Sequence, residues 1–229
     1  MMVTRLRANV RTCVALARNF FRAGVHPRYW RPSVRIAQEA IVTRDAVQKT
    51  AELAPLLGIL ARRPPLAVIE IGTGHGGTLW AWCRVAAPDA HLVSVDLPGG
   101  PFGGGEYVRT RVQAYGRKRQ TVTLIEGDSS APETLVAVMR AVAGPVDFLF
   151  IDGDHNYSGV SSDYAMYSPL VRAGGLIAFH DIVPGHAENV ADVPQFWREL
   201  ARSKKREIID DVGSGGSPIK GYGIGLIDA

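Results

Sequence analysis

Carboxylates and imidazoles gather in this chain where short apolar runs end. The run Val146 to Ile151 gives way to Asp152-Gly153-Asp154-His155, and the run Gly175 to Phe179 gives way to His180-Asp181. Earlier runs end in Glu70-Ile71-Gly72-Thr73-Gly74, in Val95-Asp96 and in Glu126-Gly127-Asp128-Ser129. Carboxylate oxygens suit a hard divalent cation such as Mg²⁺, which lowers the pKa of a hydroxyl bound to it. A neighbouring imidazole, with an unperturbed pKa near 6.5, suits removal of that hydroxyl's proton near neutral pH.

These clusters need a scaffold that brings separate strand ends together. Apolar runs alternate with helix-like segments, which predicts a parallel sheet wrapped by helices. Strands are expected at Leu66–Ile71, His91–Asp96, Thr121–Glu126, Val146–Ile151 and Gly175–His180, with a last pair near Glu207–Asp211 and Tyr222–Ile227. Helices are expected at Thr78–Ala87, Glu106–Arg117, Pro132–Val142, Gly159–Val171 and Val193–Arg202, after an earlier one from Thr43 or Asp45 to about Arg63. Ligands of such sheets bind beyond the carboxyl ends of the strands. Asp152 and Asp181 would then end adjacent central strands and converge on one ion.

Gly72, Gly74 and Gly77 satisfy GxGxxG, a spacing shared by dinucleotide sites, and Asp96 is placed to accept both hydroxyls of a ribose. That pair alone suits NAD and S-adenosylmethionine (SAM) equally. The lysine of a phosphate-gripping GxxxxGK[ST] loop is missing, which argues against an ATPase. Acids after the third, fourth and fifth strands favour a ligand with adenine, ribose and a charged amino-acid tail.

Taken together, Glu70-Ile71-Gly72-Thr73-Gly74, Val95-Asp96, Gly127-Asp128-Ser129, Phe150-Ile151-Asp152-Gly153-Asp154-His155 and Gly174-Gly175-Leu176-Ile177-Ala178-Phe179-His180-Asp181 resemble class I SAM-dependent methyltransferases. Within them the chain is similar to the macrocin-type and other sugar O-methyltransferases and the cephalosporin hydroxylase-type proteins, from about Leu66 to Ala229. The resemblance implies an α/β, Rossmann-like fold: a seven-stranded, mostly parallel sheet with the last strand antiparallel and helices on both faces; the N-terminal helical extension expected before it has no counterpart in the family. It implies that Glu70, Gly72, Thr73 and Gly74 border the methionine part of SAM, Asp96 the ribose, and Asp128 with Ser129 the adenine, with Asp152 also beside the cofactor. It implies metal ligands at Asp152 and Asp181 with His180 as third candidate, the metal being Mg²⁺ or, given a histidine, Mn²⁺. Catechol-type relatives carry a base three residues past the first acid, which points to His155. Some sugar methyltransferases use an acid at the position of Asp154, which is the rival base. The acceptor implied is a small-molecule hydroxyl, on a saccharide or glycosylated metabolite, with a catechol second. A homodimer or higher homo-oligomer is implied as well.

Composition sets the remaining bounds. The 229 residues fit one domain (33–229) after a basic extension (1–32), and no apolar run is long enough for a membrane helix. Net charge is +4, yet no acid precedes Glu39, while Arg5, Arg7, Arg11, Arg18, Arg22, Arg28, Arg31 and Arg35 all do. Residues 4–21 mix these arginines with apolar residues at roughly helical spacing, so the segment reads as a docking helix, a contact for an anionic membrane, or a frayed tail. Nucleic acid lacks a supporting motif. Cys13 and Cys83 belong to no metal or disulfide pattern, as expected of reduced thiols in a cytoplasmic protein. Two other functions fit parts of the sequence: an NAD-linked oxidoreductase, on the glycine spacing alone, and a non-catalytic SAM-binding scaffold docking through its basic helix.

Overall fold

The computed structural model describes residues 13–99, 106–142, 144–185, 190–201, 205–210 and 222–229. Helix α1 covers residues 13–22, and α2 (Trp30–Thr43) and α3 (Thr50–Arg62) follow. Strands and helices then alternate: β1 (Ala67–Ile71), α4 (Gly77–Val85), β2 (His91–Asp96), α5 (Glu106–Gln113), β3 (Thr121–Glu126), α6 (Pro132–Val142), β4 (Val146–Ile151), α7 (Tyr157–Tyr167), β5 (Val171–His180), α8 (Val193–Glu199), β6 (Lys205–Ile208) and β7 (Ile224–Asp228). They form one seven-stranded sheet in the order β3-β2-β1-β4-β5-β7-β6. The β1–β5 pairs are parallel, and β7 runs antiparallel to both β5 and β6. This is the Rossmann-like fold expected.

The central strands read as unbroken apolar runs because both faces are covered. Alternate residues feed two cores. Val68, Phe148, Phe150 and Ala178 pack with α3 and α4, through Leu53, Leu57 and Trp82. Ile69, Ile71, Leu149 and Phe179 pack on the other face with Val138, Tyr167 and Phe196. Trp82 lies 5.2 Å from the rings of both Phe148 and Phe150. It is fully buried, and Trp80 and Trp197 nearly so.

The N-terminal layer departs from expectation. The helix expected from residue 43 or 45 to 63 begins only at Thr50, as α3; residues 44–49 form an irregular loop, and a further helix, α2, precedes them. Asp45 takes a positive φ of 61°, which no helix interior tolerates. Pro32 lies in the first turn of α2, where its missing N–H costs nothing, so no break in the chain falls at residues 31–32. Phe20 and Val25 share a core with Leu53 and Leu57, and Asn19 Nδ2 donates to the carbonyls of Ala51 and Ile209 at 2.9 and 3.0 Å. Residues 1–12, most of the glycine-rich stretch Pro98–Gly105, and His186 lie outside the described residues.

Candidate active site

A cleft of about 820 Å³ opens along the carboxyl edge of the sheet, walled by the ends of β1, β2, β4 and β5. Its floor is the turn after β1. Gly72 has φ 90°, its N–H donates to Val95 O at 2.9 Å, and a side chain there would overlap the backbone carbonyl of Asp152. Asp152 N–H in turn donates to Ile71 O at 2.8 Å. The turn is thus pinned between β2 and β4. Asp96 faces it across the cleft, accepting from Gly74 N–H at 2.7 Å and Leu97 N–H at 2.8 Å. Burial raises the Asp96 pKa even so.

The cofactor-side residues do not all reach this cleft. Gly72, Thr73, Gly74, Asp96, Asp128, Ser129 and Asp152 line it. Asp128 forms a tight turn there, accepting from the backbone N–H and hydroxyl of Ser130 at 2.8 and 2.7 Å, bonds that lower its pKa. Glu70 is the exception. It is fully buried on the far side of β1, accepting from Trp82 Nε1 at 2.8 Å and Ser94 Oγ at 2.6 Å. In a strand, Glu70 shares a face with Val68 and so points beneath α4, away from the cleft. This geometry corrects the expectation that Glu70 borders the methionine tail.

Burial pushes the Glu70 carboxyl from 4.5 to about 7. A pKa raised on folding stabilises the protein at acid pH and loses that contribution as pH rises through the folded value. Stability is therefore expected to fall between pH 4.5 and 7.5 by up to about 3 kcal/mol. Glu70→Gln keeps one oxygen to accept from Trp82 Nε1, lets its amide donate to Ser94 Oγ, and removes the ionisation. Denaturant melts at pH 5 and pH 8 are expected to show the variant gaining on the parent protein at the higher pH; an unchanged gap would refute the assignment.

The reactive corner is built by β4, β5 and the loop after β4. Ligand atoms of Asp152, His155 and Asp181 all lie within 4.8 Å of one another. His155 Nε2 is 3.3 Å from Asp181 Oδ2 and 3.6 Å from Asp152 Oδ1. His180 sits beneath, 3% exposed, with Nδ1 3.2 Å from Asp152 Oδ1 and 3.1 Å from Asp181 Oδ1. Burial opposes charge on His180, yet the two carboxylates hold its pKa well above 6.5. Burial likewise opposes charge on Asp152, and His180 and His155 outweigh it, keeping that pKa low. His155 thus stands beside the two carboxylates at the cleft, while His180, the third ligand candidate, lies buried beneath them as a counter-charge. Asp181 carries φ 62°, a strained value for a residue other than glycine, at the point where the chain leaves β5.

Asp154, the rival base, also lines the cleft. Its Oδ1 accepts from Asn156 N–H and Nδ2 at 3.0 and 2.9 Å, and its carboxylate packs against Gly159 at the start of α7. Tyr157 turns outward, donating to Glu199 Oε2 at 2.7 Å.

Three site residues were invisible in the sequence. Gln48, on the loop between α2 and α3, donates from Nε2 to Asp152 Oδ2 at 2.8 Å. Asp163, on α7, lines the cleft while 1% exposed, with neither carboxylate oxygen hydrogen-bonded, and burial pushes its pKa up to about 6. Tyr222 lies 5.9 Å from the His180 ring and also lines the cleft.

Solved structures share this architecture. An O-methyltransferase from Bacillus cereus in complex with S-adenosylhomocysteine (SAH) superposes with a TM-score of 0.62 at 15% identity, covering 89% of this chain and 92% of that one. The O-methyltransferase TomG from Streptomyces achromogenes, involved in tomaymycin synthesis and solved with SAM, gives 0.58 at 22% identity over 88% and 89%. The MycE methyltransferase of mycinamycin biosynthesis, solved with Mg and SAH, gives 0.51 at 19% identity over 86% and 54%. Residues 69–182 match the family model described as a methyltransferase domain. The matched span begins in β1 and ends just past Asp181, so it contains the whole of the cleft's carboxyl-edge floor. The chain is also 28% identical over 137 residues to an uncharacterized protein of Acanthamoeba polyphaga mimivirus, covering 56% of this chain and 61% of that one. It is 28% identical over 144 residues to an uncharacterized protein of Sinorhizobium fredii, covering 60% and 15%. The alignments therefore span less than two thirds of either relative. Nothing in these comparisons favours the NAD reading of the glycine spacing.

Proposed function

We propose that the protein is a metal-dependent O-methyltransferase that moves the methyl group of SAM to a hydroxyl of a sugar or glycosylated metabolite. The observation that carries this is the convergence of Asp152, His155 and Asp181 beside the Gly72–Gly74 turn and Asp96. Two carboxylates within one ion's reach, with an imidazole beside them, fit a divalent cation, Mg²⁺ by the oxygen donors or Mn²⁺. Asp152 and Asp181 would hold it, and when bound it would acidify the acceptor hydroxyl.

The protein's own groups then divide the work. Asp96 accepts from the ribose of SAM, and the Gly72–Gly74 turn lets the methionine portion approach the backbone. Protonated His180 balances the charge of Asp152 and Asp181 and keeps both side chains oriented. His155, part-exposed to the cleft, takes the proton of the acceptor hydroxyl on Nε2. The acceptor oxygen attacks the methyl carbon as the carbon–sulfur bond breaks, leaving a methyl ether and SAH. The sugar assignment rests on the motif resemblance; MycE, whose structure holds Mg and SAH, supports the metal.

Calorimetric titration with SAH and with NAD, before and after chelation, tests the first half. SAH is expected to bind and NAD not to. An acceptor screen with sugars and catechols then tests the second, transfer being expected to stop on chelation and return with Mg²⁺. Failure to bind SAH sinks the whole reading. Transfer to catechols alone moves the acceptor class, and chelator-insensitive transfer removes the metal.

A further inference from the structure

Helix α1 presents two different faces. Its inner face docks through Ala15, Asn19 and Phe20, which are 0–1% exposed. Its outer face carries Val14, Ala17 and Phe21, at the i, i+3, i+7 spacing that makes one helical stripe. Phe21 is 82% exposed and Val14 58%. Beside this stripe runs a groove of about 370 Å³ between α1 and α2, with Ala17, Phe20, Trp30 and Val34 in its walls and Arg31 and Arg35 among its lining. Arg22, Arg31 and Arg35 are exposed and form no ion pair among the described residues. The sequence places no acid before Glu39.

An exposed phenylalanine alone needs no explanation, but an apolar stripe set in arginines without one compensating carboxylate does. Charge decides what covers it. A second copy docked through the same face would bring two sets of arginines together with no acid to pair them. Nucleic acid would use the arginines and leave Phe21 and Val14 idle. An anionic bilayer uses both, since aliphatic and aromatic side chains enter the acyl boundary while arginines stay among the phosphates.

We propose that the α1–α2 face adsorbs the enzyme onto membranes rich in anionic phospholipid, with Phe21 and Val14 as the inserted residues and Arg22, Arg31 and Arg35 as the phosphate contacts. No described helix is long and apolar enough to cross a membrane, so the contact lies in the surface plane. The inference is independent of the methyl acceptor and of the metal.

The test is co-sedimentation of the full chain with vesicles of phosphatidylcholine alone or with one third phosphatidylglycerol, at low and high salt. Binding is expected with phosphatidylglycerol at low salt, little with phosphatidylcholine, and release as salt screens the charges. Phe21→Ser is expected to weaken binding roughly tenfold, and the double reversal Arg31→Glu, Arg35→Glu by more than about twentyfold. Neither variant alters a buried residue, so both should melt with the parent protein. Equal sedimentation with both vesicle types, or none with either, overturns the proposal. So does a Phe21→Ser variant that turns a dimer into a monomer while leaving vesicle binding unchanged, which would assign the stripe to a second copy.

Discussion

Asparagine in place of Asp152 is expected to lower kcat about a thousandfold while the protein still folds. The substitution keeps the shape and the carbonyl oxygen that can accept from His180 Nδ1, now 3.2 Å from Asp152 Oδ1. The new amide would meet the Nε2 of Gln48, which now donates to Oδ2 at 2.8 Å. Gln48 Oε1 is buried and has no partner, so a flip of the Gln48 amide turns that clash into a bond. What disappears is the negative charge, and with it one of the two carboxylates proposed to hold a cation. Single-turnover methyl transfer across a Mg²⁺ titration, with a thermal melt alongside, checks this. A variant with normal turnover and an unchanged metal requirement would remove Asp152 from the chemistry. Asp181→Asn is the weaker probe, because Asp181 also holds a strained backbone whose relaxation would confuse the result.

How far the sequence reveals this site depends on where each residue comes from. Asp96, Asp128, Asp152 and Asp181 were legible because buried parallel strands are apolar along their length, so the first polar residue marks the sheet's edge. β2, β3 and β4 end where those runs end. Residues inside the strands needed one more step. Glu70 and His180 both lie within strands and both share the face that carries Val68, Phe148, Phe150 and Ala178. The alternation of a strand sends them toward the α3–α4 layer; Glu70 stays out of the cleft, and His180, at the strand's end, reaches it only from beneath. Counting by twos would have separated His180, inside β5, from Asp181 beyond its end. No comparable count reaches Gln48 or Asp163. Gln48 arrives on a loop that an unbroken helical pattern concealed, and Asp163 depends on how α7 settles against the turn after β3. Both positions are fixed by tertiary packing, which local periodicity does not encode.

Alanine at Gly72 is expected to weaken SAH binding at least a hundredfold and to destabilise the protein by about 3 kcal/mol or more. Two penalties add there. The backbone is at φ 90°, which an L side chain rarely adopts, and the new methyl group would overlap the carbonyl of Asp152 and press on Gly153 N at 3.1 Å. The obstacle is backbone, so no rotamer change relieves it. The end of β1 would have to part from the end of β4, displacing Asp152 from Ile71 O and distorting the floor on which SAM is proposed to lie. Gly174→Ala separates the two penalties. Gly174 has φ 74°, but its nearest neighbour, Arg172 Nη1, is 3.8 Å away, and it lies near the start of β5, at the opposite end from the cleft. It is expected to cost about 1–2 kcal/mol from backbone strain and to leave SAH affinity unchanged. Calorimetry and denaturant melts on both variants decide the matter. If Gly72→Ala behaves like Gly174→Ala, the turn yields to a side chain and strain alone explains the glycine. If it loses SAH while Gly174→Ala does not, contact with the β4 backbone is what requires glycine there.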